Sequence, residues 1–128
     1  YLTPGTTGFN LDSPSGAGYC NPAVDSEGNV YVAFAWRYSS FNYINISRIN
    51  VDGTLAWSNN LKIITSGGLA AGDSFAQNLS VTSNDDIIIG GRTNMGPGGG
   101  SGSAGWLARL ANDGSVLRLF IKYDFWFR

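Results

Sequence analysis

The sequence predicts an all-β fold made of two copies of one antiparallel, four-stranded unit. Three observations predict it. Short apolar segments alternate with polar breaks that contain Gly or Asp, two of these segments recur in the same order, and the charged residues that favour surface helices are scarce. Charged residues make up 13% of the 128 residues, about half the usual share of a soluble protein.

Two internal matches define the repeat. Residues 24–32 align with residues 81–89 at a shift of 57 (81 − 24), and residues 48–55 align with residues 109–116 at a shift of 61 (109 − 48). The four additional residues (61 − 57) belong to the second copy, which carries the Gly-rich stretch 96–105. We expect strands at 19–24, 29–36, 43–51 and 54–57, and again at 76–81, 87–92, 105–112 and 115–123.

Each copy carries two predicted turns between its strands. The first turn needs a residue that tolerates left-handed backbone angles, as Gly does readily and Asp can do. The second is an Asp-Gly pair between apolar segments, the strongest short-range signal for a hairpin. The predicted structural turn residues are Gly28, Asp52 and Gly53 in the first copy and Asp85, Asp113 and Gly114 in the second.

The second strand of the first copy is apolar on both faces. Val30, Val32 and Phe34 alternate with Tyr31 and Ala33, a pattern typical of a strand that is covered on both sides. A sheet stacked between two other sheets meets that condition.

The third strand changes phase along its length. Ile46 falls on one face and Ile49 on the other, which predicts a β-bulge near Ser47 and Arg48. The same spacing recurs in the second copy.

The strings GNVYVAF and SRINVDGTLAW, with their echoes DIIIGGR and LARLANDGSVL, resemble the β-propeller repeats found in tandem in bacterial surface and secreted proteins and in phage tail-fibre and other virion proteins. The resemblance covers residues 19–123 and implies four-stranded antiparallel blades, about two of them in this chain, whereas a closed propeller has about four to eight. Open alternatives are a longer array, an oligomeric ring and a small β-sandwich built from the same hairpins. The resemblance divides the chain into an irregular N-terminal segment (1–18), a first repeat (19–75), a second repeat (76–123) and an aromatic tail (124–128).

Composition argues against several classes of function. The formal net charge is −1, so no positive field gathers nucleic acid. No apolar run approaches the roughly 20 residues that span a bilayer, and we expect no membrane insertion. The chain has no His and a single Cys, which removes the commonest general base and zinc ligand and any internal disulfide. We therefore expect no enzyme, no catalytic residue, no metal and no cofactor.

Two sequence features resemble known binding motifs, but their context does not fit those motifs. Residues 100–105 match GxGxxG, but the stretch does not close a strand directly and residues 112–114 stop any helix after it, so we interpret it as a loop. Four Asp residues carry the oxygen ligands that calcium prefers, but none has the spacing of a calcium loop, and their positions favour turn formation. They are Asp52, Asp85, Asp86 and Asp113.

The loops that join the second and third strands of each copy, 37–42 and 93–105, form the predicted ligand surface, because binding sites gather on loops held by a rigid scaffold. Aromatic rings beside guanidinium and amide groups suit sugars or another protein. Trp36 and Trp106 lie at strand ends and also suit a core position. The predicted ligand-binding residues are Trp36, Arg37, Tyr38, Arg92, Asn94 and Trp106.

Two functions follow from these features. The resemblance implies a non-enzymatic structural or attachment module of a virion, as a phage tail-fibre or capsid-associated protein, or of a bacterial cell surface. Its location would be extracellular or in the virion, and its partners would be other protein subunits in an oligomer or larger assembly. The alternative is a carbohydrate-binding lectin, assembled as an oligomeric β-propeller for adhesion to a surface glycan, which four Trp and six Tyr suggest. A lectin should repeat its binding residues, yet Trp36 and Arg37 fall on Thr93 and Asn94 at the shift of 57, which favours the structural function.

Overall fold

The computed structural model describes residues 22–38, 41–61, 74–94 and 103–123. Within these ranges the chain consists of strands and turns, so the predicted all-β class is confirmed. Eight strands form two antiparallel four-stranded sheets, the first sheet from β1 to β4 and the second sheet from β5 to β8. The strands are β1 (Ala23–Val24), β2 (Val30–Tyr38), β3 (Phe41–Ile49), β4 (Leu55–Leu61), β5 (Ser74–Val81), β6 (Ile87–Asn94), β7 (Ser103–Leu110) and β8 (Val116–Tyr123).

The strands of each sheet lie side by side in chain order. The register shows that the second sheet copies the first. Val30 pairs with Ile49 in the first sheet, and Ile87, 57 residues later (87 − 30), pairs with Leu110, 61 residues later (110 − 49). This arrangement is consistent with two blade-like sheets and with a small β-sandwich.

The strand ends differ from the sequence prediction at several places. β2 reaches Tyr38 and β3 begins at Phe41, so the loop between them is shorter than predicted. β4 continues to Leu61, past the predicted end at Trp57, because pairing with β3 holds its polar residues 58–60 in the sheet although they lack an apolar pattern. The predicted strand residues 19–21 lie outside the described residues.

The register of β3 with β4 shifts between Arg48 and Ile49, close to the predicted bulge, but the extra residue lies on the other strand of the pair. β3 pairs with β2 without interruption, so Ser47 and Arg48 are regular strand residues. The extra residue is Ala56 on β4, and the second sheet has its extra residue at the matching position, Leu117 on β8. The position of the bulge near Arg48 is thus confirmed, and its strand is corrected: Ile49 is an apolar residue on the other face of β3, and the extra residue is on β4.

Four tight turns close the hairpins at one end of the sheets. Gly28, Gly53 and Gly114 have φ values of +88°, +87° and +88°, and Asp85 has a φ of +60°. Gly adopts these left-handed angles without a steric penalty, and Asp is one of the few other residues that adopts them. Two backbone hydrogen bonds of 2.8 to 3.1 Å close each turn.

The side chains of the Asp-Gly turns add further hydrogen bonds. Asp52 Oδ1 accepts from the backbone N–H and the hydroxyl of Thr54, at 2.9 and 2.6 Å. Asp113 Oδ1 accepts from the same groups of Ser115 at the same distances. These hydrogen bonds lower the pKa of both carboxyl groups, and the bond from the hydroxyl has the largest effect.

Asp25 is a buried acceptor at the first turn of the first sheet. Its carboxylate accepts hydrogen bonds from the backbone N–H groups of Glu27 and Asn29, the Asn29 amide and the Tyr31 hydroxyl, at 2.9 to 3.0 Å. Burial raises the pKa of Asp25, but the hydrogen bonds outweigh burial, and the pKa lies below its ordinary value. Its contribution to stability is therefore present above about pH 4 and is lost as the pH falls through the lowered pKa.

The core lies between the two sheets. The face of each sheet that points into it is called the inner face, and the opposite one the outer face. Tyr31 is fully buried on the first inner face, but its counterpart at the shift of 57, Ile88, is on the second outer face, beside the fully buried Ile87. The two sheets therefore meet through non-equivalent faces. The core contains Tyr31, Ala33, Ile44, Ile46 and Leu61 from the first sheet and Ala76, Leu79, Ile87, Ile89, Trp106, Ala108 and Leu110 from the second.

Gly114 and Gly53 form a matched pair for testing this packing. Both have left-handed angles, so an Ala at either position costs about 1 to 2 kcal/mol of unfolding free energy. A Cβ on Gly114 would also collide with the Asn59 side chain and lie 3.2 Å from the Trp57 ring, whereas a Cβ on Gly53 meets nothing within 4 Å. In urea unfolding of dilute protein, we expect Gly114→Ala to lose at least about 1 kcal/mol more than Gly53→Ala. Equal losses would contradict the packing.

The Tyr31 hydroxyl predicts a loss of stability in alkali. Burial, followed by the hydrogen bond to Asp25, raises the pKa of Tyr31 to about 12. The folded pKa exceeds the unfolded value near 10. The contribution of the Tyr31 hydroxyl to the unfolding free energy is therefore complete below about pH 10, and it declines by about 2 to 3 kcal/mol towards pH 12. Urea unfolding at pH 9 to 12 should show this decline in the wild type and a smaller one in Tyr31→Phe. The same decline in both proteins would show that another group titrates.

Candidate functional site

The predicted ligand residues of the first copy lie at the end of β2. Trp36, Arg37 and Tyr38 are its last three residues, and their backbones pair with residues 41–43 of β3. Their side chains lie outside the part of the chain that the structure describes. Their position is thus at the end of the sheet opposite to the tight turns, and their role in binding stays a prediction.

The predicted ligand residues of the second copy lie at the same end of the second sheet. Arg92 is exposed on β6, with its backbone opposite Gly105, and Asn94 ends the strand opposite Ser103. Trp106 is 4% exposed and belongs to the core, where its indole N–H has no hydrogen-bond partner among the described residues. Its position agrees with the core interpretation of this residue, and binding by Arg92 and Asn94 stays a prediction.

At the turn end, the sheets are joined by a hydrogen-bonded contact between their first turns. The Ser26 backbone N–H donates to Asp85 Oδ1 at 3.0 Å, and the Ser26 hydroxyl donates to Asp85 Oδ2 at 2.6 Å. Asp85 therefore does two things: it adopts the left-handed turn conformation and it bonds the neighbouring sheet. Gly28, its counterpart in the first copy (85 − 57), can do only the former.

The second turns make a parallel contact. Arg48 Nη1 and Trp57 Nε1 both donate to the Asn112 carbonyl, at 3.3 and 2.9 Å, and Asn59 Nδ2 donates to the Gly114 carbonyl at 3.3 Å. The Trp57 ring also lies against the Tyr31 ring, with centroids 6.2 Å apart. Side chains of β3 and β4 thus hold the backbone of the facing turn.

The outer face of the second sheet presents apolar side chains to solvent. Leu107 and Phe120 face each other across β7 and β8 and are 45% and 54% exposed. Arg109 and Arg118 form the next cross-strand pair towards the turns, and Arg109 makes an ion pair with Asp86. No described strand packs on this face. We call Ile88, Leu107, Arg109, Arg118 and Phe120 the second outer patch.

The outer face of the first sheet is apolar near its turns. Val24 is 60% exposed, and Val51 and Leu55 are also exposed. Val30 and Ile49, which pair with each other in the register, are half-buried. No described strand packs on this face either. We call Val24, Val30, Ile49, Val51 and Leu55 the first outer patch.

A polar group adjoins the first outer patch further along the strands. Ser47 donates to Asn45 at 3.0 Å, and Asn45 donates to Ser58 and Asn60 at 3.0 and 2.9 Å. Asn45 and Ser47 are buried. The exposed apolar side chains described on this face therefore lie near the turn end, while Val32 and the buried Phe34 pair with Ser47 and Asn45 further along.

The outer patches differ from the predicted ligand surface, which lay in the loops between the second and third strands. The repeat itself indicates the second outer patch. Leu107 corresponds to Ile46 at the shift of 61, and Ile46 is fully buried while Leu107 is exposed. An apolar residue that is retained at an equivalent position but has no cover marks a contact surface.

The described acidic groups hold the fold together. Within the described ranges no three or more of His, Cys, Asp and Glu gather in a way that could hold a metal, and no helix there is long and apolar enough to cross a membrane. Asp25, Asp52, Asp85, Asp86 and Asp113 all accept hydrogen bonds from neighbouring groups.

Comparison with known proteins gave no family model and no curated protein that matches this chain.

Ser26 and Ser83 provide a matched test of the contact between the first turns. Ser26→Ala removes the hydroxyl bond to Asp85 and should lower the unfolding free energy by about 0.5 to 1.5 kcal/mol. Ser83 is its exposed counterpart in the second copy (83 − 57 = 26), and Ser83→Ala should change stability by less than about 0.5 kcal/mol. Chemical denaturation measures both, and equal effects would mean that the contact contributes nothing.

Proposed function

We propose that the chain is a non-enzymatic structural and attachment module that acts through contacts with other protein subunits. The observation that carries this proposal is the pair of apolar outer patches on a protein that already has a core between its sheets. Large exposed apolar side chains such as Leu107 and Phe120 lose contact with water when they meet another protein, which stabilises the complex. The resemblance of the repeats suggests that the setting is a virion, as part of a phage tail fibre or capsid, or a bacterial cell surface.

The composition of the patches supports contact with protein. The second outer patch combines an aromatic ring, two aliphatic side chains and two Arg, and aromatic residues and Arg are enriched in protein interfaces. Lys and Glu, which are depleted there, are absent from both patches.

Sugar binding remains the alternative, and it has less support. A lectin of this kind would present flat aromatic rings near its loops, but Trp106 is almost fully buried in the core and Trp57 donates its indole N–H to the facing turn. Trp36 and Tyr38, near the end of β2, are the remaining predicted aromatic ligand residues.

Self-association as a function of concentration tests the proposal. Sedimentation equilibrium of the full chain at about 1 to 100 μM, a range that covers ordinary weak and moderate affinities, should give a mass that rises above the 13.6 kDa of one chain. A glycan array run on the same protein should give no signal. A constant mass of 13.6 kDa would contradict the structural proposal, and a glycan signal abolished by Trp36→Ala would establish the lectin.

A further inference from the structure

We propose that the second outer patch of one copy packs on the first outer patch of a second copy of this chain, head to tail, repeating between chains the interface that joins the two sheets within one chain. This inference rests on the proposed function and specifies its partner.

The internal interface already joins opposite faces of one repeated unit. The first sheet contributes the face of Tyr31 and Ile46, and the second sheet contributes the face of Ile87 and Leu110. In the numbering of the first sheet, Ile87 and Leu110 correspond to positions 30 and 49. One unit therefore uses the face at positions 31 and 46, and the next uses the face at positions 30 and 49. Such an interface is heterologous, and each outer face has its complement on the opposite side of the same chain.

The first outer face carries apolar side chains at the positions that form this interface in the second sheet. Val24, Val30, Val32 and Ile49 correspond in order to four apolar residues of the second sheet. Three of these counterparts, Ile87, Ile89 and Leu110, are almost fully buried against the first sheet, and the fourth, Val81, packs beside them. The first sheet thus presents a matching apolar surface near its turns, on which no described strand packs.

The second outer face carries the counterparts of the first inner face. Ile88 stands in place of Tyr31, Gly90 in place of Ala33 and Leu107 in place of Ile46, the three central residues of the first inner face. Gly90 has Leu107 close above it, since a Cβ there would lie 3.1 Å from the Leu107 side chain. No charged side chain stands at these three positions of the second outer face.

The polar contacts of the turns can also be repeated. Arg109 and Arg118 occupy the positions of Arg48 and Trp57, which donate within the chain to the Asn112 carbonyl. The equivalent acceptor in the next copy is the carbonyl of Val51 (112 − 61). Val51 is among the most exposed apolar residues described, and two guanidinium groups can approach its carbonyl in this arrangement.

Three substitutions between the repeats make the interface between chains weaker than the internal one. Gly28 stands where Asp85 would accept hydrogen bonds from the facing turn. Asn45 and Ser47 stand where Trp106 and Ala108 fill the core. The contact between copies therefore concentrates at the turn end of the sheets, and we expect a reversible association.

Complementary variants test this arrangement. Val24→Glu places a charge in the first outer patch, and Leu107→Glu places one in the second. Both sites are about half exposed, so the fold should tolerate them, and circular dichroism checks that it does. In a head-to-tail interface each variant alone loses self-association, because every contact needs both patches. An equimolar mixture regains one intact interface and should form a dimer of one copy of each, with no larger species, in sedimentation or native mass spectrometry.

Leu117→Glu is the control, because Leu117 is the extra residue of the β8 bulge, lies outside both patches and is 50% exposed. It should associate like the wild type. Arg118→Ala, which leaves the apolar side chains in place, should raise the dissociation constant by about tenfold through the lost bond to the neighbouring turn.

The outcomes separate this inference from the proposed function. If the wild type associates but Val24→Glu alone still associates, or the mixture stays monomeric, the head-to-tail arrangement is wrong and the structural proposal stands. If the wild type does not associate at all, both fail.

Discussion

The packing of two sheets through opposite faces is the constraint on which the rest of this structure depends. An isolated four-stranded sheet with apolar side chains on both faces cannot shield both from water. Here the first sheet covers one face of the second with Tyr31, Ile44 and Ile46. Most of the buried apolar residues of both sheets lie in this layer. The turns are then fixed by the same contact, since Ser26, Trp57 and Asn59 bond groups of the facing turns.

The sequence predicted the parts of this architecture that local chemistry determines. The Asp-Gly pairs predict hairpins because Gly takes the left-handed angle and Asp bonds the residue two positions later. The two repeat shifts of 57 and 61 recur as the register of the sheets, because the pairing of β2 with β3 is the same as that of β6 with β7. The strand that carries the extra residue of the bulge was not predictable from the pattern of Ile46 and Ile49, because an apolar residue on the second face of a regular strand looks the same in the sequence as a change of phase.

The candidate site was harder to predict than the fold. A residue in a strand shows its type in the sequence, but its exposure depends on which sheet lies next to it. Ile46 and Leu107 look alike and occupy equivalent strand positions, yet only Ile46 has a sheet above it. The turn position shared by Gly28 and Asp85 shows the same dependence: the carboxylate has a function only where another turn lies opposite.

The bulges on β4 and β8 have a consequence for the way in which these sheets can grow. Ala56 and Leu117 are the extra residues of β4 and β8, and both strands form an open edge of their sheet. An extra residue increases the local twist and puts the backbone donors and acceptors out of step with a straight incoming strand. Edge-to-edge joining, the route to fibrils, is thereby discouraged at these two strands. A sheet that is protected at such an edge but apolar on both faces can be extended by stacking, so the same unit can be repeated many times in a chain or an assembly with a lower risk of amyloid.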